Sequence, residues 1–163
     1  MRHIISLLVE NEAGALSRIS GLFSARAYNI ESLTVAPTDD DSMSRMTIVT
    51  SGSDNIIEQI IKQVNKLIDV IKVVDLSEQK HVERELLLIK INTEYYSRDS
   101  VKQSVANFNA RLIDDSENIC TIELTDTGER LDKFIQSFDK NHIVEEVRSG
   151  VIGIALGSNT LHV

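Results

Sequence analysis

The chain has 163 residues, of which 42% are hydrophobic and 26% are charged, as is usual for a soluble globular protein. Its 25 acidic and 17 basic residues give a net charge of -8, which repels phosphate backbones and argues against nucleic acid as a partner. No apolar run approaches the ~20 residues that span a bilayer, and the N-terminus lacks the apolar segment of a signal peptide. We therefore expect a cytoplasmic protein that binds neither nucleic acid nor a membrane.

The first half of the chain alternates strand-like and helix-like segments in the order β-α-β-β-α-β. Runs rich in Ile, Leu and Val between turn residues predict strands, and apolar residues that recur with helical spacing predict helices. The sequence predicts strands at 3–10, 30–36, 43–50 and 70–76, a helix that begins at Ala15 and a helix over 56–68. The polar run 37–42 predicts a hairpin turn between the two middle strands.

The second half repeats this order after a polar linker predicted at 77–83. Strands are predicted at 86–92, 111–114, 118–125 and 143–150, the last continuing toward Ile154, and helices over 101–108 and 131–138. Either Ser97 or Asp99 opens the first helix of this half. The repeat is one of element order, with little identity between the residues of the two halves.

The order β-α-β-β-α-β is that of the ferredoxin-like split βαβ fold. The predicted fold class is therefore α+β, with two ferredoxin-like domains, each a four-stranded antiparallel sheet with two helices. The helices cover one face of each sheet and leave its second face open. A second copy of the sheet, or a partner subunit, is the cover that we expect for that face.

The sequence carries no catalytic or metal-binding signature. It lacks a Gly-x-Gly-x-x-Gly loop and a Walker motif, and its histidines show no metal-ligand spacing: they are His3, His81, His142 and His162. The single cysteine, Cys120, lies in an apolar strand-like run and is interpreted as a small core residue. The acidic run 39–41 lacks the spacing of a calcium loop and is interpreted as a solvated turn. We expect no catalytic residue, metal or cofactor in this chain.

The loop 11–16 between the first strand and the first helix is the most informative segment. The carboxylate of a free amino acid needs several N–H donors, and a helix N-terminus supplies them with help from the helix dipole. Gly14, Ala15 and Leu16 open this helix, and the small residues from Ala13 to Ala15 let a ligand approach the main chain. The loop therefore predicts a site for the carboxylate of a small amino acid.

The ammonium group and the side chain of such a ligand need further partners. The side-chain amides of Asn11 and Asn29 offer oxygens to the ammonium, and we expect both at the same end of the unit because both lie at strand–helix junctions. The apolar part of the ligand would rest on Leu16, Ile30 or Leu33. The alternative is that Gly14 is only a tight turn and Asn11 a helix cap; local chemistry leaves both interpretations open.

Several runs of residues resemble the regulatory small subunit of acetolactate synthase (acetohydroxyacid synthase). They are NEAGAL at 11–16, followed by Arg18, GLFS at 21–24, YNIESLTVAPT at 28–38, SRMT at 44–47, HVEREL at 81–86 and RSGV at 148–151. The run at 28–38 is long and specific to that family. The resemblance spans nearly the whole chain, and it is densest before residue 50.

The resemblance implies an ACT domain over 1–77, which binds effectors and dimerises, and a second ferredoxin-like domain over 78–163. It implies activation of a separate catalytic large subunit, which carries thiamine diphosphate, magnesium and FAD, and feedback inhibition by valine in branched-chain amino-acid biosynthesis. Carried over to this sequence, the valine site comprises Asn11, Ala13, Gly14, Ala15 and Leu16, completed by Asn29 and Ile30 from the second chain of a homodimer.

Two alternatives belong to other classes of protein. One is a stand-alone amino-acid sensor that controls a different target, such as a transporter or a transcription factor. The other is a small enzyme of the acylphosphatase type on the same fold. That chemistry needs a cationic residue in the first loop to hold an anion, and 11–16 has none, because Arg18 lies one turn into the helix.

Overall fold

The computed structural model describes residues 1–94 and 96–162 and has an α+β fold, which confirms the predicted fold class. The strands are β1 Arg2–Glu10, β2 Ser32–Pro37, β3 Met43–Ser51, β4 Val70–Asp75, β5 His81–Asn92, β6 Arg111–Ser116, β7 Ile119–Asp126, β8 Ile143–Arg148 and β9 Ile152–Ala155. The helices are α1 Ala15–Ala25, α2 Asp54–Val64, α3 Arg98–Phe108 and α4 Gly128–Gln136. Every helix described is too short and too polar to cross a membrane.

The chain divides into two compact units, each described by itself below. The first unit consists of Met1–Val82 together with residues 151–162, and the second unit of Glu83–Gly150. The predicted domains, 1–77 and 78–163, differ from these units at the C-terminus, because the residues after Gly150 pack with the first unit. The division into functional domains at 77/78 stays a prediction.

The first unit has an antiparallel sheet in the order β2-β3-β1-β4. β1 pairs with β3 along its whole length, from Arg2 opposite Ser51 to Glu10 opposite Met43. Alternate β1 residues point under the two helices, because side chains alternate between the faces of a strand. The buried core of this face includes Ile5, Leu7 and Val9 from the sheet, Ile19 and Phe23 from α1, and Ile57 and Ile60 from α2.

The second face of this sheet is partly covered by the C-terminal segment of the same chain. Val151 is buried in a cluster with Ile4, Val49 and Leu76, and the Nη2 of Arg45 donates to Gly153 O at 3.1 Å. The expectation that a second sheet or a partner subunit covers this face is therefore wrong where residues 151–155 lie.

The second unit repeats the topology of the first, with its strands in the order β6-β7-β5-β8. All pairings among β5, β6, β7 and β8 are antiparallel. Its core packs α3 and α4 against one face of the sheet and includes Leu87, Ile89, Ile122, Leu131 and Phe134. The predicted repeat of element order is confirmed.

Two predicted boundaries are wrong for local reasons. The polar linker expected at 77–83 is shorter, because Asp75 caps a 3-10 turn over Leu76–Glu78 and β5 already begins at His81. The last strand does not run on toward Ile154. Gly150 has φ 84°, in the left-handed region, and this turn separates β8 from β9.

Candidate functional site

The loop 11–14 joins β1 to α1 and ends on a glycine in the left-handed conformation. Gly14 has φ 92° and is the N-cap of α1, so the tight turn required by one interpretation is present. Asn11 does not cap the helix, and that part of the alternative is wrong. Its Nδ2 donates to Asp41 O at 2.9 Å and its N–H donates to Ser42 O at 2.7 Å.

The first turn of α1 retains free N–H groups. Ala15 N–H donates to Glu12 O at 3.2 Å, and Arg18 N–H donates to Gly14 O at 2.9 Å. The amides of Leu16 and Ser17 have no acceptor among residues 1–94 and 96–162, as expected for first-turn amides without a side-chain cap. Because this turn contains no acidic residue, the positive end of the helix dipole is also uncompensated. This end of α1 can hold a carboxylate.

Arg18 brings a cation to the same loop, although the sequence analysis placed it one turn into the helix and outside the predicted site. Its Nε and Nη2 donate to the two carboxylate oxygens of Asp69 at 2.5 and 2.6 Å. Asp69 is buried, and the guanidinium beside it lowers the pKa of that carboxyl, while Asp69 raises the pKa of Arg18. The guanidinium of Arg18 is therefore fixed in place by a bidentate, charge-assisted pair with Asp69.

The outer edge of this guanidinium lies against Gly14. A Cβ built on Gly14 would lie 2.9 Å from Arg18 Nη1, the nitrogen that Asp69 does not engage. The absence of a side chain at Gly14 therefore leaves room for Arg18 to reach the loop. The spacing of four residues between Gly14 and Arg18, one helical turn, was the sequence signal that the two could be neighbours. The ion pair that holds Arg18 in place has no such local signal, because Asp69 lies 51 positions away in sequence.

Asn29 and Ile30 lie at the opposite end of the sheet from Asn11, so the expectation that both asparagines share one end is wrong. Asn29 O accepts a hydrogen bond from Thr50 Oγ1 at 2.6 Å, near the end of β3, whereas Asn11 is bonded to Ser42, just before β3 begins. Most of β3 separates them, roughly 25 Å at about 3.4 Å per residue. The physical reason is that α1 lies between the two asparagines and runs back along the sheet. Asn11 therefore precedes the helix at one end of the sheet, and Asn29 follows it at the other end.

The structure thus brings together five of the seven predicted site residues within one chain. Asn11, Ala13, Gly14, Ala15 and Leu16 form the loop and the start of α1. Ala15 is buried, whereas the side chain of Leu16 is 43% exposed and open to a ligand. Ile30 is half-buried against the core of the first unit. Within one chain it lies with Asn29 at the far end of the sheet from Gly14.

The remaining candidate groups have structural explanations. Cys120 is buried with its Sγ 3.4 Å from Asp115 Oδ1, which confirms the core interpretation, and burial raises its pKa to about 11. Asp40 accepts hydrogen bonds from the N–H and Oγ of Ser42, which lower its pKa and organise the hairpin turn. Among the described residues, no group of three or more His, Cys, Asp or Glu side chains could hold a metal ion.

Comparison with known families matches almost the whole chain. Residues 5–72 match the family described as AHAS small subunit-like ACT domain, and residues 84–157 match the small subunit of acetolactate synthase. The chain belongs to the acetolactate synthase small-subunit family. The matched range 5–72 contains both halves of the predicted site, the loop with Gly14 and the turn with Asn29.

Curated relatives and a solved structure agree with this assignment. The chain is 51% identical over 162 residues to the acetolactate synthase isozyme 3 small subunit of Escherichia coli, covering 99% of each chain. It is 49% identical to the acetolactate synthase small subunit of Haemophilus influenzae, again over 99% of each chain. The crystal structure of the Thermotoga maritima small subunit superposes with a TM-score of 0.88 at 33% identity, covering 98% of this chain and 99% of that one.

Proposed function

We propose that this chain is the regulatory subunit of acetolactate synthase, which activates the catalytic large subunit and makes it sensitive to feedback inhibition by valine. The relatives at about half identity over nearly their full length are small subunits of this enzyme, which supports such a partner. The thiamine diphosphate, magnesium and FAD of the reaction belong in this proposal to the large subunit. The chain contributes an effector site and no reacting group.

The carboxylate of the effector binds at the start of α1. The amides of Leu16 and Ser17 have no acceptor among the described residues, and the Nη1 of Arg18 lies beside Gly14 at the same helix start. Together they offer the several donors that a carboxylate needs, at the positive end of a helix dipole. Arg18 is the residue that we add to the predicted set.

The rest of the effector site comes from a second chain. β2 is an edge strand of the first sheet, and its Pro37 end lies at the end of the sheet where Asn11 lies, because Pro37 pairs with Ser44. A two-fold axis that pairs two β2 edges makes them antiparallel. The Asn29 end of one chain then meets the Gly14 end of the other, and the two half-sites that a single chain separates are joined.

This arrangement assigns a role to each part of the amino acid. The side-chain oxygens of Asn29 from one chain and Asn11 from the other accept from the ammonium. Leu16 and Ile30 offer apolar surface to the aliphatic side chain. Valine, leucine and isoleucine differ by about one methylene, worth roughly 1–3 kcal/mol, so discrimination among them is moderate.

The observation that carries the proposal is the uncapped, glycine-led start of α1 in a member of this family. The test mixes the purified chain with the acetolactate synthase large subunit and measures acetolactate formation with and without valine. We expect activation by the chain and its reversal by valine, with a coupling free energy of about 1–3 kcal/mol between the two sites. Absence of activation together with absence of a valine effect would overturn the proposal.

A further inference from the structure

A cavity of about 580 Å³ lies on the face of the first sheet that points away from α1 and α2. Its floor includes Ser6, Arg45 and Leu76 from the sheet and the turn that follows β4, and residues 154–162 form its other wall. A neighbouring cavity of about 500 Å³ shares Arg45, Leu161 and His162 with it. The proposed valine site uses none of these residues, and all of them belong to the first unit.

Arg45 is the chemically distinctive group in this cavity, because it is a half-buried cation that forms no ion pair with any residue that the structure describes. Its Nε donates to Ser6 Oγ at 3.2 Å and its Nη2 to Gly153 O at 3.1 Å, which uses two of its five N–H donors. No carboxylate of the described residues lies within ion-pair distance of it. Burial lowers its pKa, consistent with a charge that water and neighbours compensate incompletely.

Two other arginines are compensated: Arg18, whose side chain is 46% exposed, and Arg148, which is half-buried. Arg18 has the carboxylate of Asp69, and Arg148 has the carboxylates of Glu85 and Asp132. Taking a cation out of water without a paired anion is unfavourable. An anion bound at the free edge of Arg45, which faces the cavity, would therefore gain more binding free energy than one bound at a surface arginine.

The rest of the larger cavity restricts the kind of anion. None of the described residues that line the larger cavity is acidic, and Asp39 and Asp40 line only the neighbouring cavity. The lining of the larger cavity therefore has no carboxylate to pair with an ammonium group. Its apolar surface comes from Val74, Leu76, Ile154 and Leu161. The nearby amides of Gln79 and Asn159 are already bonded to each other, with Asn159 Nδ2 donating to Gln79 Oε1 at 3.0 Å.

We propose that this cavity binds a small monocarboxylate that has an apolar body and no ammonium group. The carboxylate pairs with the free edge of Arg45 in the bidentate geometry that guanidinium favours. The apolar body packs between Leu76 of the sheet and Ile154 and Leu161 of the C-terminal segment. Binding therefore tightens the hold of residues 154–162 on the sheet.

This site is independent of the proposed valine site. Arg45 pairs in register with Leu8, and its side chain points away from the helices, whereas the loop that contains Gly14 leads into α1. Variants at the two positions therefore affect different ligands. A failure of valine binding leaves this proposal intact, and the reverse also holds.

The test titrates the full chain with 3-methylbutanoate and with its neutral isostere 3-methylbutanamide, by calorimetry and by NMR of the backbone amides. We expect saturable binding of the carboxylate, with a dissociation constant on the order of 1 mM for a ligand of this size. We expect the amide to bind at least about tenfold more weakly, the loss typical of a charge-assisted hydrogen bond. Shifts should concentrate at Ser6, Arg45 and residues 153–162.

Variants decide whether Arg45 is responsible. Arg45→Gln should weaken the binding of 3-methylbutanoate about tenfold or more. Lys62→Gln, which removes an exposed cation that pairs with Glu58 on α2, on the other face of the sheet, should leave that affinity within about twofold. Gly14→Asp should also leave the affinity for 3-methylbutanoate unchanged. In that variant, valine should bind the Arg45 cavity at least about tenfold more weakly than 3-methylbutanoate does.

Several outcomes would overturn the proposal. These are equal affinities for the acid and the amide, an unchanged affinity in folded Arg45→Gln, an equal loss in Lys62→Gln, or shifts that concentrate around Gly14. If Arg45→Gln does not fold, the comparison of acid with amide and the location of the shifts in the unmodified chain decide the question.

Discussion

The two units share one topology, yet the start of the first helix differs between them. In the second unit α3 begins after Ser97, whose Oγ accepts from Ser100 N–H at 3.1 Å, and Asp99 lies in its first turn. In the first unit α1 begins after Gly14, with neither a side-chain cap nor an acidic residue in that turn. The chain itself satisfies the helix N-terminus in the second unit and leaves it open in the first, where the proposed effector carboxylate would bind. The proposal therefore assigns a structural role to this turn in one unit and a binding role in the other.

The largest expected effect comes from closing the open helix start. In Gly14→Asp a carboxylate takes the place of the ligand carboxylate, because Asp is a favourable N-cap acceptor. We expect loss of valine binding and loss of valine inhibition, measured by calorimetry and by acetolactate formation.

Gly14→Ala is the matched control for this variant. In both variants residue 14 has to keep the left-handed φ of 92°, and its Cβ would lie 2.9 Å from Arg18 Nη1. Both variants should therefore lose about 1–2 kcal/mol of unfolding free energy. Only the aspartate adds a competing anion. Equal valine affinities in the two variants would show that backbone strain, and not charge, controls the site.

A smaller loss of affinity is expected from Arg18→Lys. A lysine ammonium can pair with Asp69 but cannot also present a second nitrogen beside Gly14, because it lacks the planar fork. We expect valine affinity to fall about tenfold, with thermal unfolding and activation of the large subunit nearly unchanged. An unaltered valine affinity would remove Arg18 from the site.

The corresponding change in the second unit should act on stability alone. Ser97→Ala removes the cap of α3 and should lower the free energy of unfolding by about 1 kcal/mol. Valine binding and inhibition should stay at their original values, as measured in the same assays. A change in inhibition would mean that the second unit takes part in the effector response.

The last effect vanishes at neutral pH and concerns Cys120, the only thiol of the chain, which lies in the core of the second unit. Because burial raises its pKa from 9.0 to about 11, the folded state holds a proton that the unfolded state loses within this window. Stability should therefore fall as the pH rises from about 9 to about 11, and less steeply in Cys120→Ala. Rapid reaction of the native thiol with an aromatic disulfide at pH 8 would contradict this assignment.

Local periodicity was sufficient for most of the fold and for half of the site. The strand before Glu10 and the helix from Ala15 follow from apolar spacing, and the loop between them follows from small residues at a helix start. The pairing of Arg18 with Asp69 depends on tertiary contact between residues far apart in sequence, so no local pattern reveals it.

Two other features also depended on how the elements are arranged in space. Asn29 lies at the other end of the sheet from Asn11 because β1 runs along the sheet in one direction and α1 runs back in the other. This follows from the order of one strand and one helix, but a pattern within either element does not show it. The C-terminal cover of the first sheet depends on the left-handed turn at Gly150. A glycine in sequence permits such a turn but does not require it.

The central claim is that two chains share each effector site, with Gly14 from one and Asn29 from the other. The most direct test mixes Gly14→Asp chains with Asn29→Ala chains, allows the subunits to exchange and measures valine binding by calorimetry. Each variant alone has two damaged sites per dimer, but a mixed dimer has one site with both an intact Gly14 and an intact Asn29. We predict that neither variant binds valine alone and that the mixture regains one site per mixed dimer. No recovery in a mixture whose exchange is verified would contradict the shared site.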